Sequence, residues 1–242
     1  MDGRDEPGHD GDRILPMRVL AIDTALEACS AAVLDTEQGV LAAASLPMAR
    51  GHAEALMPLI AKVMGEASTA FTELDRVAVT TGPGSFTGLR VGISAARGIA
   101  LASGKPAFGL TTLAAFAAPY IAADDSIALA VAIDARHEHV YLQVFGPGGR
   151  TLVPPRIASI RDAVRIAANG KTRVVGNAAR MVAAAWPANE PPPALVEQLK
   201  VPDIAWVARL GAVANGSPGS PKPLYLRAPD AQPQAAARLP RR

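Results

Sequence analysis

The sequence predicts an α/β protein of two lobes, and three observations carry that expectation. Apolar runs of strand length cluster twice, near the start of the chain and again past its middle. Between them the apolar spacing changes to the 3.6-residue period of a helix buried on one face. A glycine-rich turn, Gly82 to Gly88 (GPGSFTG), leads from a short apolar run into one of those helices. At 242 residues the chain holds one compact domain or two small ones.

The elements follow in order. Val19–Ile22, ending in Asp23-Thr24, reads as a buried strand. Cys29–Leu34 and Val40–Ser45 read as the next two, with a turn from Asp35 to Gly39 that makes them an antiparallel meander. From His52 to Ala67, Leu56, Met57, Ile60, Val63 and Met64 form a helical stripe, and Pro58 predicts an irregular or kinked first turn. Arg76–Thr80 is a short strand. After the glycine turn a helix runs to about Ser103, where Gly104 stops it, and Ala107–Leu110 is a further strand. These elements make a first lobe over residues 17–110.

A second lobe is expected over residues 111–227. It holds a helix over Leu113–Ala122, strands at Ile127–Asp134 and Val140–Phe145, and a turn from Gly146 to Gly149. A helix over Ser159–Ala168, a short strand at Arg173–Val175 and a helix over Val207–Ala214 follow, with loops at Pro191-Pro192-Pro193 and Ser217–Pro223. No short tandem repeat is visible. The similar opening hairpins hint at duplication, but the second lobe reads as degenerate. Either Met17 is the natural start or residues 1–16 are a disordered extension, and residues 228–242 are expected to be a flexible tail.

Composition narrows the function. Hydrophobic residues make up 50% of the chain, which excludes a mainly disordered protein. The 24 basic residues barely exceed the 22 acidic ones, for a net charge of +2, so the strong basic excess of a general nucleic-acid binder is missing. No apolar run reaches the roughly 18 residues of a membrane span. Aromatics are 4% and alanines number about fifty, so each core residue buries little area and a partner is a natural place to bury more. A single cysteine, Cys29, excludes an internal disulfide. With no apolar leader in Met1–Pro16, it points to the reducing cytoplasm.

Few residues offer chemistry. Asp23, at the end of an apolar strand, either faces a metal or phosphate or ties down the hairpin through nearby amides. The Gly82–Gly88 loop either receives an anion at a helix N-terminus or packs tightly against a neighbour. It is not a Walker loop, because no Lys-Ser/Thr follows its last glycine. It is not a nucleophile elbow either, because Ser85 is second rather than third in GSFTG. Asp134-Ala135-Arg136 ends the second lobe's first strand as Asp23-Thr24 ends the first lobe's. Arg90 and Arg97 share a helix face. His137 and His139 would share a strand face with no third metal ligand evident, His52 opens a helix, and His9 lies near the N-terminus. Cys29 reads as a small core residue.

Five segments, Ala21–Val33, Arg50–Ile60, Thr81–Leu101, Gly109–Ala117 and Ile133–Tyr141, strongly resemble the TsaB family, and Pro223–Arg227 (PLYLR) is similar to its C-terminal signature. TsaB is the dimerisation subunit of the bacterial machinery that makes threonylcarbamoyladenosine (t6A) in tRNA. The resemblance covers roughly residues 17–145 plus the PLYLR motif and implies the actin-like, ribonuclease H-like ATPase fold. It also implies a non-catalytic relative of TsaD, which transfers threonylcarbamoyl from its adenylate to N6 of adenosine 37 in tRNA. TsaD has a His-x-x-x-His metal pair where this chain has Leu110-Thr111-Thr112-Leu113-Ala114, without histidine. No metal or catalytic residue is therefore expected here. Two departures from the family pattern stand out: Ala53 replaces a serine after His52, and His139 replaces a glutamate.

The resemblance implies pairing with TsaD through the helices Arg50–Ala67 and Gly88–Ser103. The expected interface residues are His52, Leu56, Met57, Ile60, Met64, Arg90, Ser94, Arg97 and Gly98. TsaE, an ATPase, is expected to join the pair, a homodimer to compete for the same surface, and tRNA to be reached only through the complex. The complex, not this chain, would use ATP-derived threonylcarbamoyl-adenylate and a metal held in TsaD. Asp23, Gly82, Gly84, Ser85, Gly88 and Asp134 would lie nearest any nucleotide. The competing expectation is an enzyme acting alone, an actin-like ATPase or a metallopeptidase. A third is a direct tRNA binder using Arg238, Arg241 and Arg242.

Overall fold

The computed structural model describes residues 16–215 and 220–227. The expected extension, all but Pro16, and the tail at 228–242 lie outside the described residues, and His9, Arg238, Arg241 and Arg242 lie there with them. Strands β1 (Arg18–Asp23), β2 (Ala28–Asp35) and β3 (Gly39–Pro47) form the antiparallel meander. Helix α1 (His52–Glu66) leads to β4 (Arg76–Thr80), which runs parallel to β1. Helix α2 (Phe86–Ser103) leads to β5 (Ala107–Leu110), parallel to β4. The sheet order is β3-β2-β1-β4-β5. Pro58 lies inside a continuous α1 on its exposed face, so the helix is not broken there.

Helix α3 (Thr112–Ala123) opens the second half. Strands β6 (Ala128–Asp134), β7 (His139–Phe145) and β8 (Thr151–Ser159) form a second antiparallel meander. Then come α4 (Ile160–Ala167), β9 (Thr172–Gly176), α5 (Ala179–Ala184), β10 (Leu195–Gln198) and α6 (Ile204–Val213). With β9 parallel to β6 and β10 parallel to β9, the order β10-β9-β6-β7-β8 repeats the first sheet strand for strand. Each lobe thus has the ribonuclease H-like order of the actin-like fold, and the expected degeneracy lies in helix length. The sequence reading missed β8, α5 and β10. β8 contains Pro154-Pro155, which a strand tolerates only because β8 is an edge.

The packing departs from a division of the chain at residue 111 in one element, α6. Helix α6 returns to the first sheet, where Ile204, Val207 and Ala208 pack on Val19, Ala21, Ala32, Leu34 and Ala78. The approach is close, since a Cβ on Gly211 would fall 2.4 Å from Ala78 Cβ. Helix α3 instead packs Leu113, Phe116 and Ala117 on the second sheet, against Leu129, Val131, Ile133 and Val175. The C-terminal end of each of these two helices meets an arginine side chain from a strand. Arg76 Nη1 donates to the carbonyls of Gly211, Ala212 and Ala214 at 3.0, 3.1 and 3.0 Å. Arg173 donates to Tyr120, Asp124 and Ile127 at 3.2, 2.6 and 3.2 Å. A guanidinium there satisfies terminal carbonyls and opposes the negative end of the helix dipole.

Candidate functional site

Asp23 is fully buried. Its Oδ1 accepts from the Ala25 amide at 3.1 Å and from the Thr80 hydroxyl, while Oδ2 has no partner. Burial pushes its carboxyl above the ordinary 3.8, against the pull of the bonds from Thr80 and Ala25 and of nearby His52. Asp23 does not line the cleft between the lobes. The turn after it is covered by the glycine loop. A Cβ on Gly84 would fall 2.2 Å from the Ala25 carbonyl oxygen, and one on Gly88 would fall 2.1 Å from the Thr24 carbonyl oxygen. The Ser85 amide donates to that Ala25 oxygen at 2.7 Å, the Gly88 amide to Ser85 Oγ at 3.3 Å, and Thr24 Oγ1 to the Gly88 carbonyl at 2.7 Å. The loop's tight face therefore holds the chain's own backbone, and this arrangement does not fit a phosphate seated on Gly84 and Gly88.

The other candidates scatter. His52, at the start of α1, is buried with Nε2 3.1 Å from the Leu26 carbonyl, and α1 begins at left-handed Gly51 with no side-chain cap. Thr111 caps α3 by accepting from the Ala114 amide at 3.0 Å, within a stretch, residues 110–114, that holds no histidine. Asp134 is exposed and accepts from the Arg136 amide at 2.7 Å. His137 is not on a strand. It sits with Arg136 and Glu138 in a left-handed turn, φ 63°, 50° and 59° for Arg136, His137 and Glu138, before His139 starts β7. Cys29 is buried, and burial together with Asp23 pushes its thiol up to about 11. Among the described residues no three His, Cys, Asp or Glu gather as a metal site requires.

Two hollows flank the glycine loop. A cleft of about 460 Å³ between the lobes is lined by Glu27, His52, Ser85, Asp134, Arg136 and Asn177, with residues 224–227 along one side. A groove of about 540 Å³ runs between α1 and α2, lined by Ala53, Leu56, Met57, Phe86, Thr87, Arg90, Val91, Ser94 and Ala95. Of the expected interface residues, Leu56, Ile60 and Met64 lie in the first lobe's core, and His52 is also buried. The reason is geometric: the inward stripe is Leu56, Leu59, Ile60, Val63 and Met64, while Met57 projects outward at 49% exposure. Arg90, Ser94, Arg97 and Gly98 are exposed on α2, and Leu101, which the sequence reading passed over, is 86% exposed.

The sequence reading gave the PLYLR segment no role. In the structure residues 221–227 form a strap. The Arg97 guanidinium donates to the Pro221 carbonyl, with Nε at 2.9 Å, and the Leu224 amide donates to the Thr81 carbonyl at 2.7 Å. Arg227 donates to the Ala135 carbonyl at 3.0 Å, across the cleft in the second lobe. The Tyr225 ring stacks on Phe86 with centroids 5.0 Å apart. Arg90 places its guanidinium 3.9 Å from the Phe86 centroid and donates from Nε to the Tyr225 hydroxyl at 3.2 Å.

Known proteins resemble this chain in sequence and in fold. A family profile described as "TsaD: tRNA N6-adenosine threonylcarbamoyltransferase" matches residues 40–201. The tRNA threonylcarbamoyladenosine biosynthesis protein TsaB of Escherichia coli is 38% identical over 125 residues, 52% of this chain and 53% of that protein, so the match spans about half the length of that relative. An uncharacterised protein of Mycobacterium tuberculosis is 32% identical over 228 residues, 92% of this chain and 98% of its own. A crystal structure of YeaZ from Pseudomonas aeruginosa superposes with a TM-score of 0.68 at 27% identity, covering 81% of this chain and 90% of that one. A second Pseudomonas aeruginosa structure, described as similar to peptidase YeaZ, superposes with a TM-score of 0.74 at 29% identity, covering 87% and 100%.

Proposed function

This chain belongs to the TsaD family, and from that premise we propose that it is a non-catalytic TsaB-type subunit of the machinery that makes t6A in tRNA. In this reading it pairs with TsaD, and the pair recruits TsaE. The metal and the threonylcarbamoyl-adenylate belong to TsaD, tRNA is met only through the complex, and the work is done in the cytoplasm. A second copy competes for the docking face when TsaD is absent.

The observation that carries the reading is the groove between α1 and α2. It is mostly apolar and open, and exposed Met57 stands on its wall. Farther along α2, Gly98 faces open space, where an added Cβ would meet nothing. A glycine inside a helix is about 1 kcal/mol less favourable than alanine, and nothing within the chain requires this one. A helix backbone arriving from a partner would. The non-catalytic half of the reading is supported by the sealed Asp23 and by the glycine loop packed on Thr24 and Ala25.

Reconstitution tests it. TsaD, TsaE, tRNA and a source of threonylcarbamoyl-adenylate should give t6A only when this chain is added, and the chain alone should give none. Met57→Asp should abolish both pairing and stimulation. Turnover of ATP or transfer to tRNA by the isolated chain would establish the competing enzyme reading instead.

A further inference from the structure

Phe86 and Thr87 line both hollows, the groove and the cleft, and so form the wall between them. The strap lies on that wall. Tyr225 stacks on Phe86, Arg90 sets its guanidinium over the same ring, and the Arg90–Tyr225 bond closes the triad. Tyr225 nevertheless remains 42% exposed. A tyrosine and an arginine fixed on an aromatic ring at the end of an apolar groove are the residue types that dominate binding energy at protein contacts. Their rotamers are already held, so little ordering entropy is left to lose on docking.

We propose that the strap, through Tyr225, is part of the docking surface, and that the occupant is a helix of the TsaD subunit lying along the α1–α2 groove with one end against the Phe86–Arg90–Tyr225 triad. This rests on the docking reading above and extends it from two helices to the C-terminal segment. A helix is the occupant that fits. The groove is bounded by two helices, and Ser94, Ala95 and Gly98 on α2 leave room for a backbone to approach closely. The strap is continuous with that groove at Phe86, and it is anchored independently of any partner at Pro221, Leu224 and Arg227. The face is therefore preformed, and its far end is tied to the second lobe at Ala135.

The test measures the Kd of the full chain for the TsaD subunit of the same organism by calorimetry, with Tyr225→Ala, Tyr225→Phe and Met57→Asp beside the unaltered protein. Tyr225→Ala is expected to weaken binding about tenfold or more, as truncating a tyrosine anchor at a protein contact does. Tyr225→Phe, which keeps the stack and loses only the bond to Arg90, should weaken it severalfold less. Amide exchange over residues 221–227 should slow when TsaD binds, a readout that needs no variant to fold. An unchanged Kd for Tyr225→Ala, with Met57→Asp disrupted, overturns the role of the strap and leaves the groove reading standing. An unchanged Kd for Met57→Asp overturns the groove reading itself. If Tyr225→Ala dissociates a homodimer but leaves the TsaD affinity unaltered, the occupant is a second copy and the proposal as stated fails.

Discussion

An aspartate ends the first strand of each lobe, and the two make the same local hydrogen bond in opposite surroundings. Asp23 and Asp134 each accept the amide two residues on. Asp23 is sealed by the glycine loop and Thr80, whereas Asp134 faces the cleft. The elements after the fourth strand make the difference. In the first lobe a seven-residue glycine turn feeds the 18-residue α2, whose first turns cover Thr24 and Ala25. In the second, Gly176 leads almost at once into the six-residue α5. The same asymmetry shapes the helical faces. The groove between α1 and α2 is mostly apolar, with Arg90, at its Phe86 end, the single charged residue of its lining. The hollow of about 740 Å³ beside α4 and the end of α5 carries Arg161, Arg165 and Glu190. Charge is depleted at the centre of protein contacts, so of these two hollows the first lobe's is the better suited to bury another protein.

The strongest way to probe this comparison is at two glycines that close on backbone, Gly84 on the turn just after β1 and Gly176 on β6. A Cβ on Gly84 or on Gly176 would fall 2.2 Å from the carbonyl oxygen of Ala25 or Ala132 respectively, and Gly176 also holds φ at 115°. Both Gly84→Ala and Gly176→Ala should lower the unfolding free energy by about 3 kcal/mol or more, with Gly176→Ala the larger. Chemical denaturation would show it. If only one lobe responds, the pairing of the two glycines is wrong.

The helix ends that meet an arginine come next. Truncating an arginine that satisfies helix-end carbonyls should cost about 1.5–3 kcal/mol, the range for hydrogen bonds involving a charged group. Arg173→Ala should exceed Arg76→Ala, because Arg173 is 6% exposed and Arg76 less deeply buried. Equal melting temperatures for Arg76→Ala and the unaltered protein would mean that α6 holds to the first sheet by its apolar face alone.

The third effect appears as a slope with pH. The carboxyl of Asp23 is raised by burial above 3.8. Its contribution to stability is therefore fully present below the unfolded value and is lost as pH rises through the folded one. An asparagine in its place would keep an Oδ1 acceptor for Thr80 and Ala25 and cannot ionise. The Asp23→Asn protein should therefore lack that fall when denaturation midpoints are followed upward from about pH 4, near the ordinary carboxyl value. A parallel decline in both proteins would place the titrating group elsewhere.

Much of this was legible in the sequence, for local reasons. β1, β2 and β4 are buried runs bounded by turns, and α1 and α2 have a helical period with Gly104 as a stop, so their ends were found to within a residue or two. β8 was hidden by its paired prolines, and α5 and β10 by their shortness, since six and four residues are too few to show a period. The return of α6 to the first sheet could not be read from a chain that places it after β10. At the candidate site, the spacing of Leu56, Met57, Ile60 and Met64 marked a buried stripe but gave no sign of which member turned outward. Only the fold separates Met57 from the core. In the triad Tyr225 meets two residues of α2 from 135 or more positions away, and its one sequence signal was the PLYLR motif.

The smallest effect in stability tests the asymmetry between the lobes most directly. Gly98 lies inside α2 with nothing within 4 Å of the place a Cβ would take. Gly98→Ala should therefore stabilise the isolated chain by about 0.5–1 kcal/mol, through helix propensity alone. The same methyl group would stand between α2 and a helix docked along the groove, so affinity for TsaD should fall while the melting temperature rises. Opposite signs in the two measurements are what a residue kept for a partner predicts. A residue tolerated by drift would give the gain in stability with no change in affinity. In that case Gly98 would lie outside the contact, and the claim that the first lobe carries the docking face would rest on the apolar groove without it.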